Sequence, residues 1–195
     1  MPDRPTQILE AAARLIARRG VRGLRVEEVA AEAGVSTALI YYHFKDRAGL
    51  LRRTLEFIGG RAVRYTDPAL ETSDDPRVQL TGMLLLELQD TPRVRENSAA
   101  WGELRASAIF DPDLREPLAA ATAEWVGDVA DLIGQVWAAR GTDAAGDAPK
   151  AAAERLTALV EGLSDRWLNG TVTLDRARDL LRGALTTELD RPSGH

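Results

Sequence analysis

Residues 26–44 read VEEVAAEAGVSTALIYYHF. Val26, Val29, Ala30 and Ala33 recur at helical spacing and predict a short helix closed by Gly34. Gly34 can take the positive φ that a tight turn needs. Ser36 can accept a backbone N–H bond and so start a second short helix that runs to Phe44. Helix, glycine turn, helix is the helix-turn-helix pattern. On a wheel of about 100° per residue, Ile40 and Phe44 share one face with Ser36 and, at its edge, Thr37. That face is expected to pack on the preceding helices. Ala38 and Tyr42 fall opposite, with Leu39 and Tyr41 at the edges. Such a surface suits a major groove: Ala38 permits close approach and Leu39 could touch a thymine methyl. The hydroxyls of Tyr41 and Tyr42 can bond phosphates, as can His43 and Lys45 just beyond. The same tyrosines could equally be ordinary packing residues.

The charge distribution around this segment is uneven. Residues 1–64 hold 12 Lys+Arg and 7 Asp+Glu, a net +5, whereas residues 65–195 hold 13 and 23, a net −10. A basic third joined to an acidic remainder suggests a polyanion-binding module attached to something else, although chance scatter of surface charge would read the same way.

Outward from the motif the periodicity is helical nearly everywhere. Ile8, Leu9, Ala12, Leu15 and Ile16 form the stripe of a first helix, which ends at Gly20 with Arg18 and Arg19 in its last turn. A fourth helix is predicted from Asp46 to about Tyr65. Residues 66–76, TDPALETSDDP, read as an acidic connector. Asp75-Pro76 and Asp111-Pro112 each look like a capping acid followed by proline at the first helical position. They start a fifth helix ending near Asp90 and a seventh reaching about Arg140. Thr91-Pro92 opens a sixth, which runs to Phe110. GTDAAGDAP is a loop. An eighth helix spans about Lys150 to Asn169, and Thr173 caps a ninth that runs to about Leu189. No strand is expected. The fold class is all-α with about nine helices, divided into a domain over 1–48 and a second over 49–195.

The composition excludes several classes. With 45% hydrophobic residues the chain is no disordered tail. It has no cysteine and only two histidines, His43 and His195, so neither a disulfide framework nor a zinc site is expected, and no cofactor is called for. MPDRPTQ is not a signal peptide and no apolar run approaches a membrane span, which predicts a cytoplasmic protein. Nucleophile elbows, phosphate loops and HExxH are absent. Asp111 and Asp113 point to different sides of a helix, so they read as cap and first-turn acids. An enzyme is therefore not expected. A non-enzymatic helical scaffold remains open, but would leave the basic third and the helix-turn-helix unexplained.

Residues 8–51, ILEAAARLIARRGVRGLRVEEVAAEAGVSTALIYYHFKDRAGLL, resemble the N-terminal domain of TetR-family transcriptional regulators. The resemblance lies in the first helix ending at Gly20, in Val29-Ala30, in Ala33-Gly34-Val35-Ser36, in Tyr41-Tyr42-His43-Phe44 and in Leu50-Leu51. Trp101, the run Phe110-Asp111-Pro112-Asp113-Leu114-Arg115, Trp125 and Leu159-Val160-Glu161-Gly162-Leu163 resemble the BetI-like branch of that family. One position departs: the family commonly has Thr where Arg25 stands. Arginine cannot accept a capping bond, so the cap is lost or Arg25 serves a phosphate.

The resemblance implies a homodimer that binds a near-palindromic double-stranded DNA operator and lets go when a small molecule enters the C-terminal domain. The implied DNA-reading residues are Arg25, Ser36, Thr37, Ala38, Leu39, Tyr41, Tyr42, His43 and Lys45. Two helical stripes become candidates for the dimer surface: Leu156, Leu159, Val160 and Leu163 on one helix, and Leu174, Ala177, Leu181, Ala184 and Leu185 on the next. From periodicity alone both stripes read as intramolecular core. Candidate ligand-pocket walls are Leu84, Leu88, Trp101, Leu104, Arg105, Phe110, Trp125 and Trp167, whose aromatic members suit an apolar or planar ligand. Arg105, if it faces inward, would need an anionic partner. Glu87 and Glu103 could equally be solvated. A regulator without an inducer, or an activator, would carry the same sequence features.

Overall fold

The computed structural model describes residues 3–71, 73–141 and 146–190. Among these residues the regular elements are α1 (Arg4–Arg19), α2 (Val26–Ala33), α3 (Thr37–Phe44), α4 (Arg47–Thr66), α5 (Pro68–Glu71), α6 (Pro76–Leu86), α7 (Pro92–Ser107), α8 (Arg115–Ala139), α9 (Ala148–Leu168) and α10 (Leu174–Leu189). Nine of them are two turns or longer, matching the periodicity. The tenth, α5, is a single turn within the segment read as a connector. There is no strand among the described residues, and no described helix is long and apolar enough to cross a membrane. Part of the expected GTDAAGDAP loop lies outside the described residues, as does His195.

Local chemistry sets most of the helix ends. Asp3, Ser36, Asp75 and Thr173 each accept a backbone N–H in the first turn of the following helix. Thr91 does the same for α7, accepting from the Val94 amide at 3.2 Å. Asp111 caps as expected, but Pro112–Leu114 form a 3-10 turn that leads into α8. Two ends fall short of the sequence reading. α6 stops at Leu86 rather than Asp90, because the Gln89 side chain turns back to donate to the Leu86 carbonyl at 2.7 Å. α7 stops at Ser107 rather than Phe110. The Arg115 guanidinium then donates to the carbonyls of Ala108 and Ile109, both at 3.1 Å, and satisfies groups a longer helix would have bonded.

The chain forms two compact units. One comprises the residues up to Ala62 with Arg95–Ala121, and the other comprises Val63–Val94 with the residues from Thr122 onward. The unit that holds the helix-turn-helix thus reaches past residue 48 and takes in most of α4 and α7. Its core joins Ile8, Leu15 and Ile16 of α1 to Val29, Ile40, Phe44, Leu51, Leu55 and Leu104. The core of the second unit joins Leu80, Leu84 and Leu88 to Val129 and Ile133 of α8, Leu156 and Leu163 of α9, and Leu181 and Leu185 of α10. Burying each of these large aliphatic side chains stabilises its unit by about 1.5–3 kcal/mol relative to exposure.

Candidate functional site

Gly34 sits at φ 65°, ψ 37°, the left-handed conformation that turns α2 into α3. Ser36 Oγ accepts from the Leu39 amide at 3.2 Å and starts α3 in register. Ile40 and Phe44 are 1% and 5% exposed and pin the helix to the core. The opposite face is open. Tyr42 is 80% and Tyr41 47% exposed, with Ala38 and His43 also at the surface. Thr37 and Leu39 are half-buried, and Ser36, Arg25 and Lys45 are exposed. α3 therefore presents the face expected from the wheel. Arg25 occupies the N-cap of α2 and makes no side-chain capping bond.

Lys45 is a feature the periodicity does not show. It ends α3 at φ 68°, ψ −56°, and the Asp46 amide donates to the Phe44 carbonyl at 2.8 Å. This is a positive-φ γ-turn, an uncommon and strained conformation for a residue with a side chain. The packing around it enforces the turn. Asp46 caps α4 through the Gly49 amide at 2.7 Å. A Cβ at Gly49 would lie 2.1 Å from the Phe44 carbonyl oxygen, so only glycine fits. The result is a sharp corner at the end of α3, at which Lys45 is exposed.

The basic character of the N-terminal third is partly used internally. Glu32 pairs with Arg14 at 2.9 Å and Arg18 at 3.0 Å, and Glu28 pairs with Arg19 at 2.9 Å, so α1 and α2 are cross-linked by charge. Arg14 and Arg18 hold the Glu32 carboxyl below its ordinary range. The Arg47 guanidinium donates to the carbonyls of Val21 and Leu24 and fixes the loop between α1 and α2. Glu103 of α7 meets the same loop, accepting from the Val21 amide at 3.4 Å, so it is not merely solvated. Arg25, Lys45 and Arg52 make no ion pair among the described residues and remain available to an anion.

The chain thus carries a glycine-turned helix pair whose second helix shows an open face of small and hydroxyl-bearing residues beside free cations. The model for bacterial regulatory proteins of the tetR family matches residues 8–54. The model for the BetI-type transcriptional repressor C-terminal domain matches residues 76–190. The chain belongs to the TetR family. It is a TetR-family, BetI-like transcriptional regulator. A crystal structure of a TetR-family regulator from Rhodococcus sp. is 49% identical, with a TM-score of 0.90 over 97% of this chain and 100% of that one. A regulator from Saccharomonospora viridis, solved in complex with choline, is 28% identical, with a TM-score of 0.79 over 95% and 96% of the two chains. Among curated relatives, the transcriptional regulator BetI of Pseudomonas aeruginosa is 28% identical over 99% of this chain and 96% of its own length. The Brucella melitensis regulator of the same name aligns over 60% of this chain and 59% of its own length.

The candidate wall residues of this TetR-family chain divide between the two units. Leu84 and Leu88 are fully buried in the second core, where Trp167 is 7% exposed and Trp125 packs from the edge. Leu104 is fully buried in the first core, Trp101 packs against it, and Arg105 is half-buried. Phe110 stands apart from any enclosed wall. It is 74% exposed, with the Arg22 guanidinium 5.4 Å from its ring centre.

Most of the two candidate dimer stripes are buried within one chain. Leu156, Val160, Leu163, Ala177, Leu181 and Leu185 are no more than 3% exposed within a single chain. They lie in one core to which α9 and α10 both contribute, and the Arg155–Glu188 pair also ties these helices at 2.6 and 2.8 Å. Residues sealed in their own core have no surface left for a partner. Leu159, Leu174 and Ala184 keep partial exposure.

Glu87 also departs from the solvated reading. Its Oε2 accepts from the Tyr65 hydroxyl at 2.6 Å. Burial pushes its carboxyl up to about 7, against the opposing pull of the Tyr65 bond.

Proposed function

We propose that this TetR-family regulator is a homodimeric repressor that reads a near-palindromic operator with residues 1–48 and binds a small molecule and its partner subunit with residues 49–195. The carrying observation is the open face of α3, where Ala38, Tyr41, Tyr42 and His43 project from a helix anchored by Ile40 and Phe44. Ala38 and Leu39 approach base edges in the major groove. The tyrosine hydroxyls, His43, Lys45 and Arg25 hold phosphates, and Ser36 and Thr37 contact the backbone at the helix N-terminus. The second subunit meets the partly exposed edge of α9 and α10, with Leu159, Leu174 and Ala184 on it. The choline complex of the Saccharomonospora viridis relative supports a small alkylammonium effector for this chain. Leu84, Leu88, Trp125 and Trp167 are the wall residues that one unit brings into a single core.

The test is fluorescence anisotropy with the intergenic DNA beside the protein's own gene, against a scrambled duplex, with salt stepped from about 50 to 200 mM. Tight, salt-sensitive binding to the native probe alone, relieved by choline, is the expected result. Equal weak binding to both duplexes, with no site recovered by random-sequence selection, would refute the DNA-reading role. Tight binding indifferent to choline would remove only the effector.

A further inference from the structure

In the second compact unit, one carboxylate has no cation. Glu87 follows the last turn of α6, between the fully buried Leu84 and Leu88. Its recorded partner is a neutral one, the Tyr65 hydroxyl from the last turn of α4. The ion pairs recorded in this unit lie elsewhere. Arg77 of α6 and Arg140, just past the end of α8, both hold Asp190. Arg155 of α9 holds Glu188 of α10. Glu124, Asp131 and Asp67 repel the Asp128 carboxylate, which adds to burial in raising it. Burial and the Tyr65 bond are the influences on Glu87, and no charged side chain contributes among the described residues.

A buried carboxylate without a cation is costly, and the ordinary response is to hold its proton. A purely structural site would be served better by glutamine, which accepts the same hydrogen bond with no charge to desolvate. The residue is not sealed, either: part of Glu87 keeps solvent exposure. Tyr65 engages Oε2, and Oε1 has no recorded partner. An alkylammonium centre, which has few or no N–H groups to satisfy, asks of a protein an anionic oxygen and apolar surroundings. Glu87, next in the chain to the buried Leu88 and desolvated by burial, supplies both.

We propose that Glu87 is the counter-charge that receives the cationic centre of the ligand in the second unit, and that the cation enters as the carboxyl proton leaves to solvent. This rests on the ligand-binding role proposed above and adds to it a residue and a proton. Charge balances: one positive centre enters the site and one proton departs. Binding is therefore linked to pH, and acid competes with the ligand.

The experiment is isothermal titration of the full-length protein with choline chloride and with its neutral isostere 3,3-dimethylbutan-1-ol. Each is run in two buffers of different ionisation enthalpy. Choline should bind about tenfold more weakly at about pH 6 than at about pH 8, with close to one proton released at the lower pH. The isostere should show no pH dependence. Glu87→Gln keeps an acceptor for Tyr65, so it should abolish the pH dependence and the preference for choline while leaving the isostere bound. Without ligand, the same variant should melt higher than the parent at about pH 8 and with it near pH 5, because only the ionised carboxylate opposes folding. Choline affinity unchanged by pH and by Glu87→Gln would overturn the assignment and leave the ligand-binding role standing. If choline and the isostere both fail to bind, the cation site falls and the alkylammonium effector proposed above falls with it.

Discussion

Tyr42 offers the cleanest separation of DNA reading from folding. Its ring is 80% exposed and its recorded ring contact is an edge-on one with His43, centroids 5.1 Å apart. Tyr42→Ala should therefore change stability by no more than about 0.5 kcal/mol, the ordinary range for a surface site. A lost bond from tyrosine to a charged phosphate costs about 1.5 kcal/mol. Two subunits on one operator double that to about 3 kcal/mol, or roughly a 150-fold weaker complex. Tyr42→Phe removes the hydroxyl alone and should retain most of that loss. Ile40→Ala is the contrasting control. Ile40 is 1% exposed on the opposite face, and its truncation should cost about 2–5 kcal/mol of folding stability. The assay pairs operator anisotropy with thermal melting for each variant. If Tyr42→Ala binds the operator as the parent does, α3 is not the groove helix. If it melts several degrees lower, the ring is packed and the reasoning from exposure fails.

Other outcomes follow from the same geometry. With Arg14, Arg18 and Arg19 consumed by glutamates, phosphate contacts from Arg25, Lys45 and Arg52 alone would give a log–log salt slope of about −5 for a dimer. A slope near twice that would mean the internal pairs break to meet phosphates. Gly49→Ala should destabilise the α3–α4 corner by about 3 kcal/mol in denaturant titration, because the new methyl lies 2.1 Å from the Phe44 oxygen; a neutral result would show the corner can open. Leu163→Glu should unfold the second unit rather than yield a clean monomer, whereas Leu159→Glu should shift sedimentation to monomer with the helical signal retained. Asp190 is held down to about 2 by Arg77 and Arg140. Its contribution to stability is present in full above the unfolded carboxyl value and is lost as pH falls toward about 2, so Asp190→Asn should lower the melting temperature at neutral pH and flatten the acid limb of the stability curve.

Much of the architecture is local and was therefore legible. Ser36, Asp75 and Thr173 cap within three residues, and Gly34 turns the chain on its own φ. These interactions span one helical turn, so the residues that make them stand close together in the chain. The exposed face of α3 was legible for the same reason: a helical wheel needs only the rise and turn of one helix.

What the sequence could not decide is what lies against a given face. Periodicity showed that Leu156, Val160 and Leu163 share a side of α9, and Ala177, Leu181 and Leu185 a side of α10. It did not show that both sides lie in one core within a single chain. The arginines of the N-terminal third counted as positive charge in the composition, yet Glu28 and Glu32 sit across α1 and α2 to cancel three of them. Glu87 read as one more helical acid until α4 brought Tyr65 to it from 22 residues away. A side chain's protonation and its freedom to meet a ligand depend on neighbours that come from other elements, and such contacts leave no mark in spacing along the chain.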